Sequence, residues 1–118
     1  MLTLPESLTV YLDTKSVDMR KSINGLSARV VDEFELSPQR EAVFIFWNKY
    51  RDKVKLLFWD KNGFVLYYKR LERGKFKIPQ QLTGDKIILT SDQLSWLLAG
   101  LDFHLMQEFS HLNYSNYY

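Results

Sequence analysis

The chain has 118 residues, a formal net charge of +2 and no cysteine, which predicts one domain and excludes a disulfide scaffold or a thiolate metal site. Its 46% apolar and 25% charged residues exclude a disordered chain. The N-terminus has no charged leader before a long apolar run, and no run approaches the ~20 residues of a membrane helix, so we expect a cytoplasmic protein.

The N-terminal third predicts a strand and then a helix. Polar and apolar residues alternate over Leu8–Leu12, as in a short strand. The helix has Ser16 or Asp18 as its N-cap and ends before Pro38. Asn24–Gly25 in its middle costs about 1 kcal/mol relative to alanine at the glycine, so either another backbone packs closely there or the helix breaks. One helical face carries Met19, Ile23, Leu26, Val30 and Phe34.

The middle of the chain predicts a run of strands. Ala42–Trp47 is continuously apolar, which is typical of a central strand that is buried on both faces. Asn62 and Gly63 stand between two apolar runs and favour a type I′ hairpin, because both central residues of that turn need a positive φ. The other predicted strands are Lys53–Trp59, Phe64–Leu71, Lys75–Ile78 before Pro79, and Lys86–Leu89 at an edge.

The second predicted helix starts at a capping box, with Thr90 as N-cap and Gln93 at the third helical position. Its apolar face carries Leu94, Leu97, Leu98 and Leu101. Sequential strands and separate helices predict an α+β fold, in which an antiparallel meander of about five strands has both amphipathic helices packed on one face. We expect a single domain over residues 1–102 and a frayed or accessory tail over 103–118.

Positive charge is concentrated in one segment. Residues 49–77 contain ten Lys or Arg and three acids, or 10 − 3 = +7, and the rest contains six bases and eleven acids, or −5. Alternate residues of a strand share a face, so Lys53 and Lys55 lie opposite Val54. The cations that share a face in the next basic stretch are Arg73, Lys75 and Lys77. Because neighbouring strands are about 4.8 Å apart, these rows are expected to merge into one basic patch.

Three interpretations of this patch are open. Clustered cations bind nucleic-acid phosphates, and nearby aromatic rings stack on unpaired bases. An acidic protein partner is the second interpretation, and simple solvation of an antiparallel sheet is the third. The imbalance of charge favours nucleic acid. The predicted phosphate contacts are Arg51, Lys53, Lys55, Lys69, Arg70, Arg73, Lys75 and Lys77, with Arg20 and Lys21 from the first helix. The candidates for stacking or partner contact are Trp47, Tyr50, Trp59 and Tyr67.

No pattern predicts catalysis, a metal or a cofactor. The sequence has no nucleophile elbow, P-loop or dinucleotide-binding glycine pattern. His104 and His111 have no carboxylate partner, which favours surface positions over a metal site. A Mg²⁺ site of paired carboxylates is a weaker alternative, because turn and cap roles explain the acids involved. Those acids are Asp13, Asp18, Asp52, Asp60 and Glu72.

Three stretches follow one another in a specific order: VDMRKSINGLS (17–27), VFIFWNKYRDKVKLLFWDKNGFVLYYKRLERGKFKIP (43–79) and LTSDQLSWLLAGLD (89–102). Over roughly residues 4–102 the chain resembles the TnpB-type accessory proteins of the insertion-sequence sixty-six family of bacterial mobile elements. These are unrelated to the RNA-guided nuclease of the same name. Two positions depart from the family pattern, since Ser22 replaces a usual glycine and Ile78 replaces a usual tryptophan that is a candidate stacking ring.

The resemblance implies an accessory factor for transposition in the bacterial cytoplasm, encoded beside a separate DDE transposase, with no catalytic residues and no cofactor. The first hypothesis is a non-enzymatic module that contacts the DNA of the element ends through a basic sheet face. The alternative is a protein–protein adaptor that docks on the transposase through apolar residues. A metal-dependent nuclease is the third hypothesis, and we expect no cleavage.

Overall fold

The computed structural model describes Leu4 and residues 7–102. In this part of the chain, five strands form one sheet and two helices pack on it. The strands are β1 (Thr9–Asp13), β2 (Ala42–Trp47), β3 (Lys53–Asp60), β4 (Gly63–Arg70) and β5 (Lys86–Leu89), and the helices are α1 (Ile23–Glu33) and α2 (Ser91–Leu98). The predicted α+β class and the number of strands are confirmed. The predicted tail, 103–118, lies outside the described residues.

The sheet has the order β4-β3-β2-β1-β5 and is mixed rather than a simple meander. β1 runs parallel to β2, and every other neighbouring pair is antiparallel. The parallel pair follows from α1, which lies between β1 and β2 in the chain and provides the long crossover that parallel strands require. The expected strand at Lys75–Ile78 is wrong, because this segment contributes only an isolated bridge between Lys77 and Asp102.

The two helices lie on opposite faces of the sheet, so the expectation of one shared face is wrong. Leu26 and Val30 of α1 pack in one apolar cluster with Phe44 and Phe46, whereas Leu94 of α2 packs in the other. All six residues of β2 are buried. A central strand that is apolar on both faces needs cover on both, and one helix covers each.

α1 begins later than the sequence predicts. Its N-cap is Ser22, whose side chain makes no capping hydrogen bond, and the Asp18 carboxylate instead accepts from the backbone N–H of Arg20 at 2.9 Å. Gly25 therefore lies in the first turn. A Cβ added there would meet the side chain of Lys21 at 3.3 Å, rather than another backbone segment. Ser22 has φ −117°, an extended conformation that does not require the glycine usual in the resembling proteins.

A buried ion pair connects α1 to the sheet. Arg29 donates from Nη2 to the carboxylate of Asp13 at 3.1 Å, and its Nε makes a second contact. The carboxylate hydrogen bond raises the pKa of Arg29 above its ordinary value. The indole Nε1 of Trp47 donates to the backbone carbonyl of Asp13 at 2.8 Å. Asp13 thus joins β1, α1 and the end of β2.

The β3–β4 hairpin forms where the sequence predicts it, but the turn differs. Asp60 pairs with Gly63, so Lys61 and Asn62 are the two central residues. Of these, only Lys61 has a positive φ, 53°, which contradicts the expected type I′ turn. The predicted capping box at Thr90 is confirmed at the start of α2. No described helix is both long and apolar enough to cross a membrane.

Candidate nucleic-acid interface

Two basic segments meet at one end of the sheet, where β2 and β4 end and β3 begins. The N–H of Leu71 donates to the carbonyl of Asp52 at 2.8 Å, and the N–H of Phe76 donates to the carbonyl of Arg51 at 2.7 Å. We call residues 49–53 and 69–77 together the basic end. They contain eight bases and two acids, a formal charge of 8 − 2 = +6. The bases are Lys49, Arg51, Lys53, Lys69, Arg70, Arg73, Lys75 and Lys77.

The β2–β3 turn of the basic end is held by the buried side chain of Asn48. Its Oδ1 accepts from the backbone N–H of Asp52 at 3.1 Å and of Lys53 at 3.0 Å, and its Nδ2 donates to the Asp52 carboxylate at 2.7 Å. This last hydrogen bond is the main reason that the pKa of Asp52 is lowered. Arg51 has a positive φ of 58°. The turn therefore presents Tyr50, 68% exposed, from a fixed backbone.

The second segment of the basic end is anchored by alternate buried residues. Phe76 and Ile78 pack in the α2-side cluster, so Lys75 and Lys77 are exposed. Arg73 is exposed just before them. Within the described residues, the side chains of these three cations make no hydrogen bond or ion pair. They are therefore available to an external anion.

The predicted cations do not share one sheet face. Lys53 pairs across the sheet with Arg70 on the α1 side, whereas Lys69 pairs with Val54 and points to the α2 side. The guanidinium of Arg51 lies 5.4 Å from the ring centroid of Trp47, which belongs to the α2-side cluster. The expected single face is therefore wrong, because adjacent residues of β4 point in opposite directions. The cations gather at an end of the sheet instead.

Two of the predicted lysines bind the protein's own backbone. Lys55 Nζ donates to the carbonyls of Met19 and Lys21 at 2.8 Å each, and it lies 5.7 Å from the ring centroid of Tyr68. Lys69 Nζ donates at 2.7 Å to the carbonyl of Leu98, the last residue of α2. A cation there also interacts favourably with the helix dipole. Lys55 thus holds the loop before α1 against the sheet, and Lys69 holds the C-terminal end of α2.

Two more of the predicted cations, Lys53 and Arg70, pair with acids close to them in sequence. Lys53 contacts Asp52 at 3.2 Å and Arg70 contacts Glu72 at 3.1 Å. Solvent-accessible pairs of this kind are weak and screened by salt, so a phosphate can compete for the cation. Glu72 raises the pKa of Arg70.

Arg20 and Lys21 lie in the loop before α1, next to Lys55. Arg20 forms a forked hydrogen bond with Asp18, with contacts from 2.6 to 3.1 Å. These hydrogen bonds lower the pKa of Asp18 to about 2. Both cations are exposed, but the charge of Arg20 is already compensated by its neighbour.

The aromatic candidates for stacking differ in their exposure to solvent. Trp47 is 6% exposed and belongs to the core. Trp59 is partly buried and packs edge-on against Phe64, with ring centroids 4.9 Å apart, toward the other end of β3. Tyr67 is also partly buried, against the α2-side cluster. Tyr50 is the one of these candidates that is exposed at the basic end.

Ile78 and the acids also have structural roles. Ile78 is buried, so a tryptophan at this position would enter the core rather than stack on a base. The described residues contain no group of three or more His, Cys, Asp or Glu side chains that could hold a metal ion. Asp13, Asp18, Asp52 and Glu72 each bind a neighbouring side chain instead. His104 and His111 lie outside the described residues.

The sequence signal for the missed features was weak. Lys49 lies in the same basic stretch and is exposed, but it is not among the predicted contacts. The hydrogen bonds of Asn48 span only four and five positions, but an asparagine before a polar turn does not by itself show which groups it binds. The pairing of Asp13 with Arg29 joins residues 16 positions apart, and no short-range spacing marks it.

The sequence profile of one protein family, described as IS66 Orf2-like protein, matches residues 8–108. The chain belongs to this family. IS66 Orf2-like proteins are accessory proteins associated with transposition, rather than known enzymes. The match begins later than the predicted resemblance and extends six residues past Asp102, where that resemblance was expected to end.

Two relatives come from Sinorhizobium fredii (strain NBRC 101917 / NGR234). The chain is 33% identical to the uncharacterized protein y4hO over 108 residues, which is 92% of this chain and 93% of the relative. It is 33% identical to the uncharacterized protein y4jC over 103 residues, which is 87% of each chain. No solved structure matches this IS66 Orf2-like chain significantly.

Proposed function

We propose that this IS66 Orf2-like protein assists transposition as a non-catalytic factor that binds DNA of the element ends through its basic end. The observation that carries the proposal is the meeting of two basic segments, with a formal charge of +6, at one end of the sheet. Clustered cations of this density attract the DNA backbone, and phosphate contacts dominate affinity for DNA.

The cations of the basic end have different tasks in this proposal. Arg73, Lys75 and Lys77 contact phosphates first, because they are exposed and unpaired within the described residues. Lys53 and Arg70 join them when phosphate displaces their contacts with Asp52 and Glu72. Lys49 is exposed in the neighbouring turn and adds a further charge. Lys55 and Lys69 shape the surface, since their amino groups bind backbone carbonyls. Arg20 and Lys21 extend the surface beside α1.

Tyr50 adds a means of contacting bases. It is exposed at the tip of a turn that Asn48 holds, so little ordering is needed when it binds. A ring beside a cationic groove stacks on an unpaired base whatever its identity. Single-stranded or distorted DNA at the element ends therefore fits this surface better than a regular duplex.

Matched charge variants test the location of the interface. Lys75→Gln/Lys77→Gln removes two charges at the basic end, and Arg40→Gln/Lys61→Gln removes two at the opposite end of the sheet. Fluorescence anisotropy with labelled element-end DNA should show affinity reduced on the order of 10- to 100-fold by the first pair. The second pair should leave it nearly unchanged.

Equal losses for both pairs, or no wild-type binding even at 50 mM salt, would refute the interface. In that case a pull-down with the DDE transposase tests the adaptor function. Capture that is weakened by Tyr50→Ala or Tyr68→Ala, but not by Lys75→Gln/Lys77→Gln, would favour it.

A further inference from the structure

The outer edge of β4 is strongly apolar for an exposed strand. β4 is eight residues long and lies at one edge of the sheet, and its five central residues, Phe64–Tyr68, are all apolar or aromatic. None of the eight is buried, and Tyr68 is 48% exposed. No other strand of the described chain pairs with this edge.

In the part of the chain that the structure describes, β4 also lacks the usual protection of an edge strand. Proteins protect edges with short strands, prolines, bulges or charges near the centre. The register of β4 with β3 is continuous from Gly63 to Arg70, so there is no bulge, and its charges are confined to Lys69 and Arg70. The other edge strand, β5, has only four residues. The β4 edge is therefore suited to pairing with another strand.

We propose that a second copy of this chain pairs antiparallel with β4 about a two-fold axis at Leu66. The axis places Leu66 opposite Leu66 of the second copy, Phe64 opposite Tyr68, and Val65 opposite Tyr67. All five central positions then have an apolar neighbour across the junction, which is the favourable arrangement for cross-strand pairs. The two five-stranded sheets become one sheet of ten strands.

Other registers are poorer. In an antiparallel pair, directly opposite residues point to the same face of the sheet, so the two-fold axis must pass through a residue position. The other possible registers therefore move the axis by one residue at a time along the strand. An axis at Tyr67 places Phe64 opposite Arg70 and Val65 opposite Lys69, which removes two apolar pairs. The axis at Leu66 instead places Arg70 opposite Asn62 and Lys69 opposite Gly63, so that cations meet neutral residues.

Charge favours a second copy as the occupant. A strand that covers β4 must offer apolar residues at its centre and avoid cations opposite Lys69 and Arg70. Antiparallel β4 meets both conditions with its own sequence. The two basic ends then point in opposite directions, with their Arg70 residues on the order of 27 Å apart along the strands. If the proposed DNA contact holds, the dimer carries two DNA segments; the pairing itself does not depend on that contact.

Cross-linking tests the register directly. The chain has no cysteine, so Leu66→Cys introduces a unique thiol that faces its own copy. A short bis-maleimide should convert most of this variant to a covalent dimer. Ile88→Cys, on the exposed part of β5, is the control and should form little covalent dimer, because its thiol lies far from the β4 junction. Equal cross-linking of the two variants, or Leu66→Cys cross-linking that requires added transposase, would overturn self-pairing.

Light scattering of the full chain gives an independent test. The wild type should have the mass of a dimer, and Val65→Lys should be a monomer with an unchanged circular dichroism spectrum, because Val65 belongs to neither apolar cluster. Ile88→Lys should remain a dimer. Wild-type protein that is monomeric at every concentration contradicts the proposal. Anisotropy with DNA is read separately, so loss of dimerisation and loss of DNA binding are distinguishable.

Discussion

At the scale of residues, the buried pair of Asp13 and Arg29 gives the largest expected effect on stability. Arg29→Met should lower the free energy of unfolding by about 3 to 5 kcal/mol, because it leaves the Asp13 carboxylate buried without its charged partner. Chemical denaturation followed by circular dichroism measures this change.

Arg20→Met is the matched control, since Arg20 also pairs with an aspartate but is exposed. It should leave the denaturation midpoint almost unchanged. Asp13→Asn combined with Arg29→Met should lose less stability than Arg29→Met alone, because the uncompensated charge is then absent. A double variant that is less stable than the single one contradicts this account.

At this scale the sequence predicts which residues are surface cations, but not which groups their side chains contact. It placed Lys55 and Lys69 among the surface cations, but their amino groups bind carbonyls of residues 29 to 36 positions away. A lysine that holds a helix end has the same local pattern as a solvated one. Trp47 is likewise a candidate for exposure, but it packs in the α2-side cluster and its indole N–H donates to the carbonyl of Asp13 on the neighbouring strand.

At the scale of elements, the two helix N-termini differ in a way that stability can measure. The hydroxyl of Thr90 accepts from the backbone N–H of Gln93 at 3.0 Å, and the Gln93 side chain accepts from the backbone N–H of Thr90 at 2.9 Å. Thr90→Ala should therefore cost about 1 kcal/mol in the free energy of unfolding. Urea denaturation measures the difference.

Ser22→Ala provides the comparison at α1. Ser22 occupies the same cap position, but its side chain makes no capping hydrogen bond. The substitution should change the free energy of unfolding by only a few tenths of a kcal/mol. Equal losses at the two caps would show that the hydrogen bonds of Thr90 do not stabilise α2.

The sequence predicts most of the helices and strands, but the predicted packing of the helices on one face of the sheet is wrong. The capping box, the hairpin and the alternation along β3 are local signals, and the structure contains all three. The side on which each helix packs is not a local signal. The continuous apolar run of β2 already implied that both faces are covered, but hydrophobic spacing alone does not say which helix covers which face.

At the scale of the whole molecule, the charge is strongly polarised. The chain has a net charge of +2 and the basic end carries +6, so the remaining residues carry 2 − 6 = −4. The sequence predicted this imbalance from composition along the chain. The sequence does not show that this charge gathers at one end of the sheet, because the hydrogen bonds that join the two basic segments link residues 19 and 25 positions apart.

This polarity predicts that the salt dependence of DNA binding is set by the charge of the basic end rather than by the net charge of the chain. If about six phosphates of duplex DNA are contacted, the slope of log K against log salt should be near −5, and Lys75→Gln/Lys77→Gln should make it less steep by about 1.8. For single-stranded DNA the corresponding values are about −4 and about 1.4. Arg40→Gln/Lys61→Gln changes the net charge equally and should leave the slope unchanged, because those residues flank the opposite end of the sheet. Binding titrations over a series of salt concentrations measure all three slopes. Two variants with the same reduced slope would mean that DNA responds to the total charge of the protein, and the basic end would then have no special role.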